Sequence, residues 1–477
     1  MISYGGVRGK GSQAGRLPWN GRPQMSNDIA NRIYNQNFRL DPYVRSLLDT
    51  DFYKILMCYF AWKNFPGTRV TFAIKNRSVA KTRLKDVINE RNLRDQLDFV
   101  KALSFTEPEL IWLQGNTFYG QRGIFPGEFI EFLHNLRLPD YELGIGEDGD
   151  YSLTFSGVWC EVMLWEIYAL SIINEAKSRA GMADMSKYEL KVLYANATSK
   201  LVGKLKKLKD ANVPGISEFG TRRRHGFLWQ DFALEAMQAE LGDNFAGTSN
   251  ALHAMRRGLP AIGTNAHELP MVIAALAVMD GPDDIKHKKL RLRASQYDVL
   301  ELWHNSFNRN LLIGLPDTFG TTQFLREAPV MYPNIKDWRG FREDSKDPYI
   351  GAEEKIAFWK IIGIDPRDKL QLFSDGLDAD AMVSLTKKFN GRIGLGFGWG
   401  TLATNDFRGC NPRVGNDALD PISVVCKVRY VTNAAGETIS AVKLSDNYNK
   451  ATGDADQVAL YQETFGFDGM ENVPVIV

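Results

Sequence analysis

From about residue 212 onward, short apolar runs alternate with longer stretches of helical spacing. The runs end near Glu218, Gly247, Gly263, Asp317, Phe341, Ser374 and Phe397, and a helical pattern follows several of them. The spacing predicts helices over Ala251 to Arg257, Met271 to Met279, Ala352 to Ile362 and Ala379 to Phe389. Gly363 closes the third, and Pro366 shortly after prevents its resumption. Strand–loop–helix units imply parallel strands joined by crossovers. Seven such runs in succession fit an α/β barrel better than an open sheet. The repeat is one of pattern, with no repeat of sequence.

The flanks read differently. Residues 41 to about 155 mix helix-like and strand-like pieces, with a strand expected over Val70 to Ile74. Glu161 to Ile173 is apolar nearly all round and predicts a buried helix. After Asn405 the pattern returns to strands, over Ile422 to Tyr430 and Ile439 to Leu444, in a piece outside the barrel. The expected divisions are a flexible tail over 1–40, flanking segments over 41–160 and 406–477, and a catalytic α/β barrel over 161–405. The first 24 residues hold six glycines, four basic residues and no acidic ones, a composition that cannot build a core; Met25 is an alternative start.

Charge and cysteine usage narrow the partners. Lys+Arg is 58 and Asp+Glu is 57, so a net charge of +1 supplies no global field for nucleic acid or an acidic membrane. The longest fully apolar run, Met271 to Met279, is too short for a bilayer span. No secretory signal is visible at the N-terminus. Cys58, Cys160, Cys410 and Cys426 are isolated, without zinc-ligand spacing, and fit reduced thiols of a cytoplasmic protein.

The chemistry gathers where the apolar runs end, because the C-terminal strand ends of an α/β barrel build its active site. This predicts that Arg222, Ser249, His267, Asp317, Arg342, Asp344, Asp375 and Thr401 converge. Ser217-Glu-Phe-Gly-Thr-Arg-Arg-Arg224 offers an aromatic face and forked cations, suited to a flat anionic ring or to phosphates; a solvated basic turn is the plainer reading of these eight residues alone. Successive side chains on a strand alternate sides, so Arg222 is assigned to the ligand and Arg223 and Arg224 to ion pairs or a subunit contact. Two glycine-rich turns, Phe373-Ser-Asp-Gly-Leu-Asp378 and Gly394 to Thr401, fit a phosphate cradle, although Gly394 and Gly396 read better as packing. Carboxylates at Asp317 and Asp344 suit sugar hydroxyls or a magnesium ion on a diphosphate, or are ordinary loop residues; Asp347, before Pro348, reads as the latter. His267 lacks the second histidine of a zinc protease helix. It fits an acid–base, a donor, a nucleophile or a structural residue. The G-x-x-x-x-G-K-[ST] phosphate loop does not occur.

Together these motifs resemble the nicotinate phosphoribosyltransferases, type II phosphoribosyltransferases of NAD salvage. The resemblance runs from about Leu47 to Lys450. Its landmarks are Leu47-Leu-Asp-Thr-Asp-Phe-Tyr-Lys54, Phe219-Gly-Thr-Arg-Arg-Arg224, Gly247-Thr-Ser-Asn250, Gly263-Thr-Asn-Ala-His-Glu268, Asp317-Thr-Phe-Gly320, Arg342-Glu-Asp-Ser345, Phe373-Ser-Asp-Gly-Leu-Asp378, Phe397-Gly-Trp-Gly-Thr401 and Lys443-Leu-Ser-Asp446. It implies an irregular α/β barrel with a smaller α+β domain built from both chain ends. It also implies a homodimer with shared active sites, Mg²⁺, and three substrates: nicotinate, phosphoribosyl pyrophosphate and ATP. By resemblance, Phe219 is one face of a ring sandwich and Tyr53 the other, reaching in from a neighbouring subunit beside Asp51. Arg222 is the ligand-contacting arginine and His267 the phosphorylated histidine. Asp317 and Asp344 hold the ribosyl pyrophosphate and its Mg²⁺, with Arg342 nearby. Gly376, Gly398, Gly400 and Thr401 cradle the 5′-phosphate.

Ser249 stands where the related nicotinamide enzymes carry aspartate, which favours a carboxylate over an amide ligand. Lys346 and Trp399 depart from the pattern, one in the diphosphate loop and one in the phosphate cradle. The alternatives are a nicotinamide enzyme, a non-catalytic binding protein of the same fold, and a quinolinate-type enzyme that fits the other motifs poorly.

Overall fold

In the computed structural model, residues 41–307, 311–447 and 451–471 are described. The tail expected over residues 1–40 lies outside them. The strands in chain order are β1 (Arg69–Asn76), β2 (Thr117–Phe118), β3 (Gln121–Arg122), β4 (Tyr141–Ile145), β5 (Tyr151–Val158), β6 (Ile216–Glu218), β7 (Phe245–Thr248), β8 (Ile313–Gly314), β9 (Gly340–Glu343), β10 (Leu370–Phe373), β11 (Gly394–Trp399), β12 (Val424–Thr432) and β13 (Thr438–Ser440). The protein is mixed α/β, with one antiparallel and one parallel sheet besides the small β2–β3 hairpin.

The antiparallel sheet has the order β13-β12-β1-β5-β4, so strands from both chain ends share it. β12 runs along β1 from Thr432 opposite Arg69 to Val424 opposite Asn76, with a bulge between Thr71 and Phe72. The inward residues of β5 alternate along the strand, from Tyr151 and Leu153 to Phe155, as a sheet buried on one face requires.

The parallel sheet has the order β7-β6-β11-β10-β9-β8. Beyond β7, Thr248 forms a single parallel bridge to Ala261, so all seven apolar runs appear as parallel rungs. The barrel expected from the pattern is not closed by a ladder among the described residues. The rung at Ala261 is one bridge long and β8 two residues, and no pairing joins these two among the described residues. At that gap the Asn265 side-chain amide reaches the Ile313 carbonyl at 3.5 Å.

The helices follow from their caps. Ala251–Arg257 starts where Asn250 accepts from the His253 N–H and stops at Gly258, whose φ is 66°. Ala379–Phe389 likewise coincides with its expected span, capped by Asp378. Glu268–Met279 and Pro348–Ile361 begin a turn earlier than expected. In the second, Asp347 caps and Pro348 supplies the first turn, so this carboxylate is structural. The buried helix expected over Glu161 to Ile173 is Trp165–Met182, buried at every position from Trp165 to Ser178, with a separate short helix, Trp159–Val162, before it. No helix among the described residues is long and apolar enough to cross a membrane. Cys58, Cys160, Cys410 and Cys426 are all buried free thiols.

Candidate active site

The chain leaves β6 at Glu218 and is gripped at once by its neighbour, the Phe219 N–H donating to the Trp399 carbonyl at 2.8 Å. The Phe219 ring lies over Gly398; a Cβ there would sit 2.4 Å from the ring. Gly398 therefore seats the aromatic ring and does not line the cavity, contrary to its assignment to the phosphate. Gly220 turns the chain into a 3₁₀ turn, Thr221–Arg223. This turn overturns the alternation argument for the arginines, which holds only for a strand. Arg222 and Arg223 both line the cavity. Arg224 turns back and is fully buried on Asp49, Nη1 to Oδ1 at 2.7 Å and Nη2 to Oδ2 at 2.8 Å. Arg223 carries no ion pair among the described residues. Burial and the neighbouring Arg222 lower its pKa to about 10.

Phe219 and Tyr53 line one cavity of about 270 Å³. Both belong to the same chain. In this chain the backbone itself brings Tyr53 to the cavity, where the resemblance has it reaching in from a neighbouring subunit. The Phe52 N–H donates to the Ser249 carbonyl at 2.6 Å, and Asp51 bridges Asn250 antiparallel, so the start of helix Phe52–Asn64 is stitched to the end of β7. The Arg222 guanidinium lies 5.6 Å from the Tyr53 ring centre. It meets two carboxylates, Asp51 at 3.3 Å through Nε and Glu166 at 3.1 Å through Nη1. Ser249 does not line the cavity; its hydroxyl donates to Asp51 Oδ1 at 2.6 Å. Ser249 is thus linked to the cavity through Asp51 and Arg222. Burial raises the pKa of Asp51 against the pull of Arg222 and Ser249. Lys54, fully buried beneath this end, joins Glu166 at 2.6 Å and also Glu268.

At the next strand ends, His267 sits between two aspartates. Its Nε2 lies 3.0 Å from Asp344 and 3.6 Å from Asp317, and its Nδ1 is 3.0 Å from the Thr318 hydroxyl. Burial pushes His267 down to about 4, against the pull of the aspartates, so the imidazole is neutral near pH 7. Burial opposes the charge on Asp344, but Arg342 and His267 outweigh it and hold this carboxyl well below the usual range. Asp317 is buried behind His267 and accepts from the Ser345 hydroxyl at 2.6 Å, with Lys443 at 3.8 Å. One ligand atom each of His267, Asp317 and Asp344 fall within 4.8 Å of one another. Asp317 Oδ1 is buried with no hydrogen-bond partner. Two carboxylates, one with an unused oxygen, fit a hard cation that completes its shell from ligand phosphates.

Gly376, Gly400 and Thr401 line the far end of the cavity with Asp375. Ser374 donates to Asp344 Oδ1 at 2.8 Å, tying this end to the aspartates. Across from it stands β12, with Arg77 just past the end of β1. The two departures from the family pattern lie elsewhere. Trp399 is buried outside the cavity, with the Lys204 ammonium 5.8 Å from its ring. Lys346 turns away and binds Glu354 at 2.7 Å and Thr322 at 3.0 Å, so it does not reach a diphosphate in the cavity.

The profile of the nicotinate phosphoribosyltransferase (NAPRTase) family matches residues 215–468, more than half of the chain. The profile of that family's N-terminal domain matches residues 48–174. The chain belongs to the nicotinate phosphoribosyltransferase family. Similar solved structures include a nicotinate phosphoribosyltransferase from Porphyromonas gingivalis, 27% identical with a TM-score of 0.75 over 89% of this chain and 100% of that one. A putative nicotinate phosphoribosyltransferase from Saccharomyces cerevisiae is 28% identical, with a TM-score of 0.73 over 90% of this chain and 100% of that one. The Vibrio cholerae enzyme is 26% identical, with a TM-score of 0.73 over 90% and 94%.

Several cavity residues of this family member escaped the sequence reading. Glu166 lies on a helix whose buried pattern masks a single polar face. Lys427 lies on β12 of the antiparallel sheet and Arg77 just past the end of β1, away from the parallel strand ends that carry the others. Lys443 was visible only as part of a landmark motif.

Proposed function

We propose that this chain makes nicotinate mononucleotide and pyrophosphate from nicotinate and phosphoribosyl pyrophosphate, with Mg²⁺ bound and ATP hydrolysis coupled through His267. The observation that carries this reading is the continuity of one cavity. It joins Tyr53, Phe219 and Arg222 at one end to Arg342, Asp344 and His267, and on to Gly376, Gly400 and Thr401.

Phe219 and Tyr53 flank the pyridine ring and Arg222 takes its carboxylate, which turns the ring nitrogen toward the ribose. That nitrogen lone pair forms the bond to the sugar C1 as the C1–O bond to pyrophosphate breaks, the leaving oxygen keeping the electron pair. Alignment is the protein's main task, because the pyridine nitrogen is already a nucleophile. Asp317 and Asp344 would hold Mg²⁺, which neutralises charge on the departing diphosphate. Arg77 and Arg223, neither carrying an ion pair among the described residues, supply positive charge beside the glycine turns. His267, neutral and fixed by Thr318 and Asp344, suits transient phosphorylation by ATP.

We also propose that the chain forms a homodimer with shared active sites, the partner subunit completing a cavity that Tyr53 and Phe219 of one chain already line. Four free thiols suit a reducing compartment, and we place the protein in the cytoplasm. One observation supports a second reading. Glu166 beside Arg222 forms an acceptor–donor pair that also suits a carboxamide, as in a nicotinamide enzyme. Measuring kcat/KM for nicotinate and nicotinamide, each with and without ATP, tests both. Nicotinate is expected to win and ATP to stimulate; preference for the amide overturns the reading.

A further inference from the structure

Glu218 ends β6, fully buried behind the ring site and outside the cavity. Three donors converge on its carboxylate. The Gly220 N–H and the Thr248 hydroxyl each donate to one oxygen, the latter at 2.6 Å. The Gln230 amide lies 3.2 and 3.1 Å from the two oxygens. The Glu218 backbone carbonyl accepts from the Ser249 N–H at 2.8 Å. One residue thus fastens the turn bearing Phe219 and Arg222 to the end of β7. That end in turn holds Asp51 through Ser249. Gly220 has no slack in this arrangement, since a Cβ there would come 2.9 Å from the Glu218 carboxylate and 2.1 Å from the Thr404 hydroxyl.

No cation pairs with this carboxylate among the described residues. Arg224 is taken up by Asp49 and makes no ion pair with Glu218; it feels that charge at a distance and holds the oxygen of the Gln230 amide at 3.1 Å. Asp51, on the other side, repels it. The three donors to this carboxylate come from the turn, helix Phe227–Leu241 and β7: the Gly220 N–H can only donate, the Gln230 amide is fixed in its orientation by Arg224 on its oxygen and by Thr221 at 3.1 Å from its nitrogen, and only the Thr248 hydroxyl is free to turn.

We propose that Glu218 is a positioning residue for the pyridine acid: its charged carboxylate holds the Phe219–Arg222 turn against β7, and loss of that charge weakens ring binding without touching the phosphoribosyl donor. Burial pushes this carboxyl up to about 7, against its hydrogen bonds from Thr248, Gly220 and Gln230. A proton on Glu218 must face an acceptor, and the Thr248 hydroxyl turns round to become one. Charge-assisted bonds from Gly220, Gln230 and Thr248 are thereby replaced by weaker neutral ones, which loosens the join between the turn and β7. The nicotinate KM is therefore lowest above the midpoint and rises as pH falls through it. This inference rests on the nicotinate reading of the cavity.

The test is steady-state kinetics of the full chain from about pH 6 to about pH 9, for wild type and Glu218→Gln. Glu218→Gln is expected to raise the nicotinate KM about tenfold at the upper end, the scale of one charge-assisted hydrogen bond, and to abolish its pH dependence. The KM for phosphoribosyl pyrophosphate is expected to stay within about twofold, as for a residue that does not contact that substrate. An unchanged nicotinate KM, or equal losses for both substrates, overturns the proposal. Absence of nicotinate turnover in wild type would instead refute the underlying function. Thr248→Val serves should the first variant fail to fold. It removes one donor to the carboxylate and is expected to move the midpoint of the KM profile to higher pH; no movement, or movement downward, also overturns the proposal.

Discussion

Single residues set the ring site. Arg222 presents a guanidinium to the cavity while Asp51 and Glu166 hold it from behind. Arg222→Gln is expected to raise the nicotinate KM by about ten- to a hundredfold, the loss of hydrogen bonds to a charged group, with the donor KM little changed. An equal effect on both substrates would place the contact elsewhere. Gly398→Ala drives a methyl into Phe219 and is expected to raise the nicotinate KM and lower Tm together; kinetics and a melt on one preparation check both. His267→Ala is expected to retain slow transfer and lose ATP stimulation, and persisting ATP dependence would remove His267 from the coupling. Phe219, Arg222 and His267 were legible as isolated motifs because their chemistry survives without context. Ser249 was legible in position but not in action, because its hydroxyl is claimed by a residue almost two hundred positions away.

Elements decide which of several similar residues faces the ligand. The three arginines look equivalent in the chain, and a strand would send alternate ones to opposite sides. The 3₁₀ turn instead leaves two facing the cavity and sends the third into the core. Arg223→Gln is therefore expected to raise the KM for phosphoribosyl pyrophosphate several-fold while leaving the nicotinate KM within about twofold, the reverse of the Arg222 pattern. Identical behaviour of the two variants would show that they share one ligand group. The helices at Ala251–Arg257 and Ala379–Phe389 could be read to the residue because Asn250, Gly258 and Asp378 mark their ends chemically. The β4–β5 hairpin was not foreseen, since half-exposed β4 carries no sustained apolar alternation.

At the scale of the whole molecule, stability and binding pull on Glu218 in opposite directions. Its folded pKa, about 7, lies above that of an unfolded glutamate. Between those values the folded state holds a proton that the unfolded state has lost, so stability falls as pH rises through the window. Glu218→Gln is expected to flatten that part of the Tm-against-pH curve, and an unaltered slope would mean that other carboxyls set it. Apolar periodicity by itself determined the seven parallel rungs, the buried helix and the strands at both chain ends, because burial of one face or all faces writes a local period into any chain. The residue types at the strand ends likewise fixed the chemistry available there. Only the tertiary structure decided how those groups are used. It placed Tyr53 in the same chain's cavity, drew β12 alongside β1 as the opposite wall, turned Lys346 and Trp399 away, and buried Glu218 among three donors. These outcomes depend on contacts between segments far apart in sequence, and on which of several equally polar groups each buried donor meets, and no local period records either.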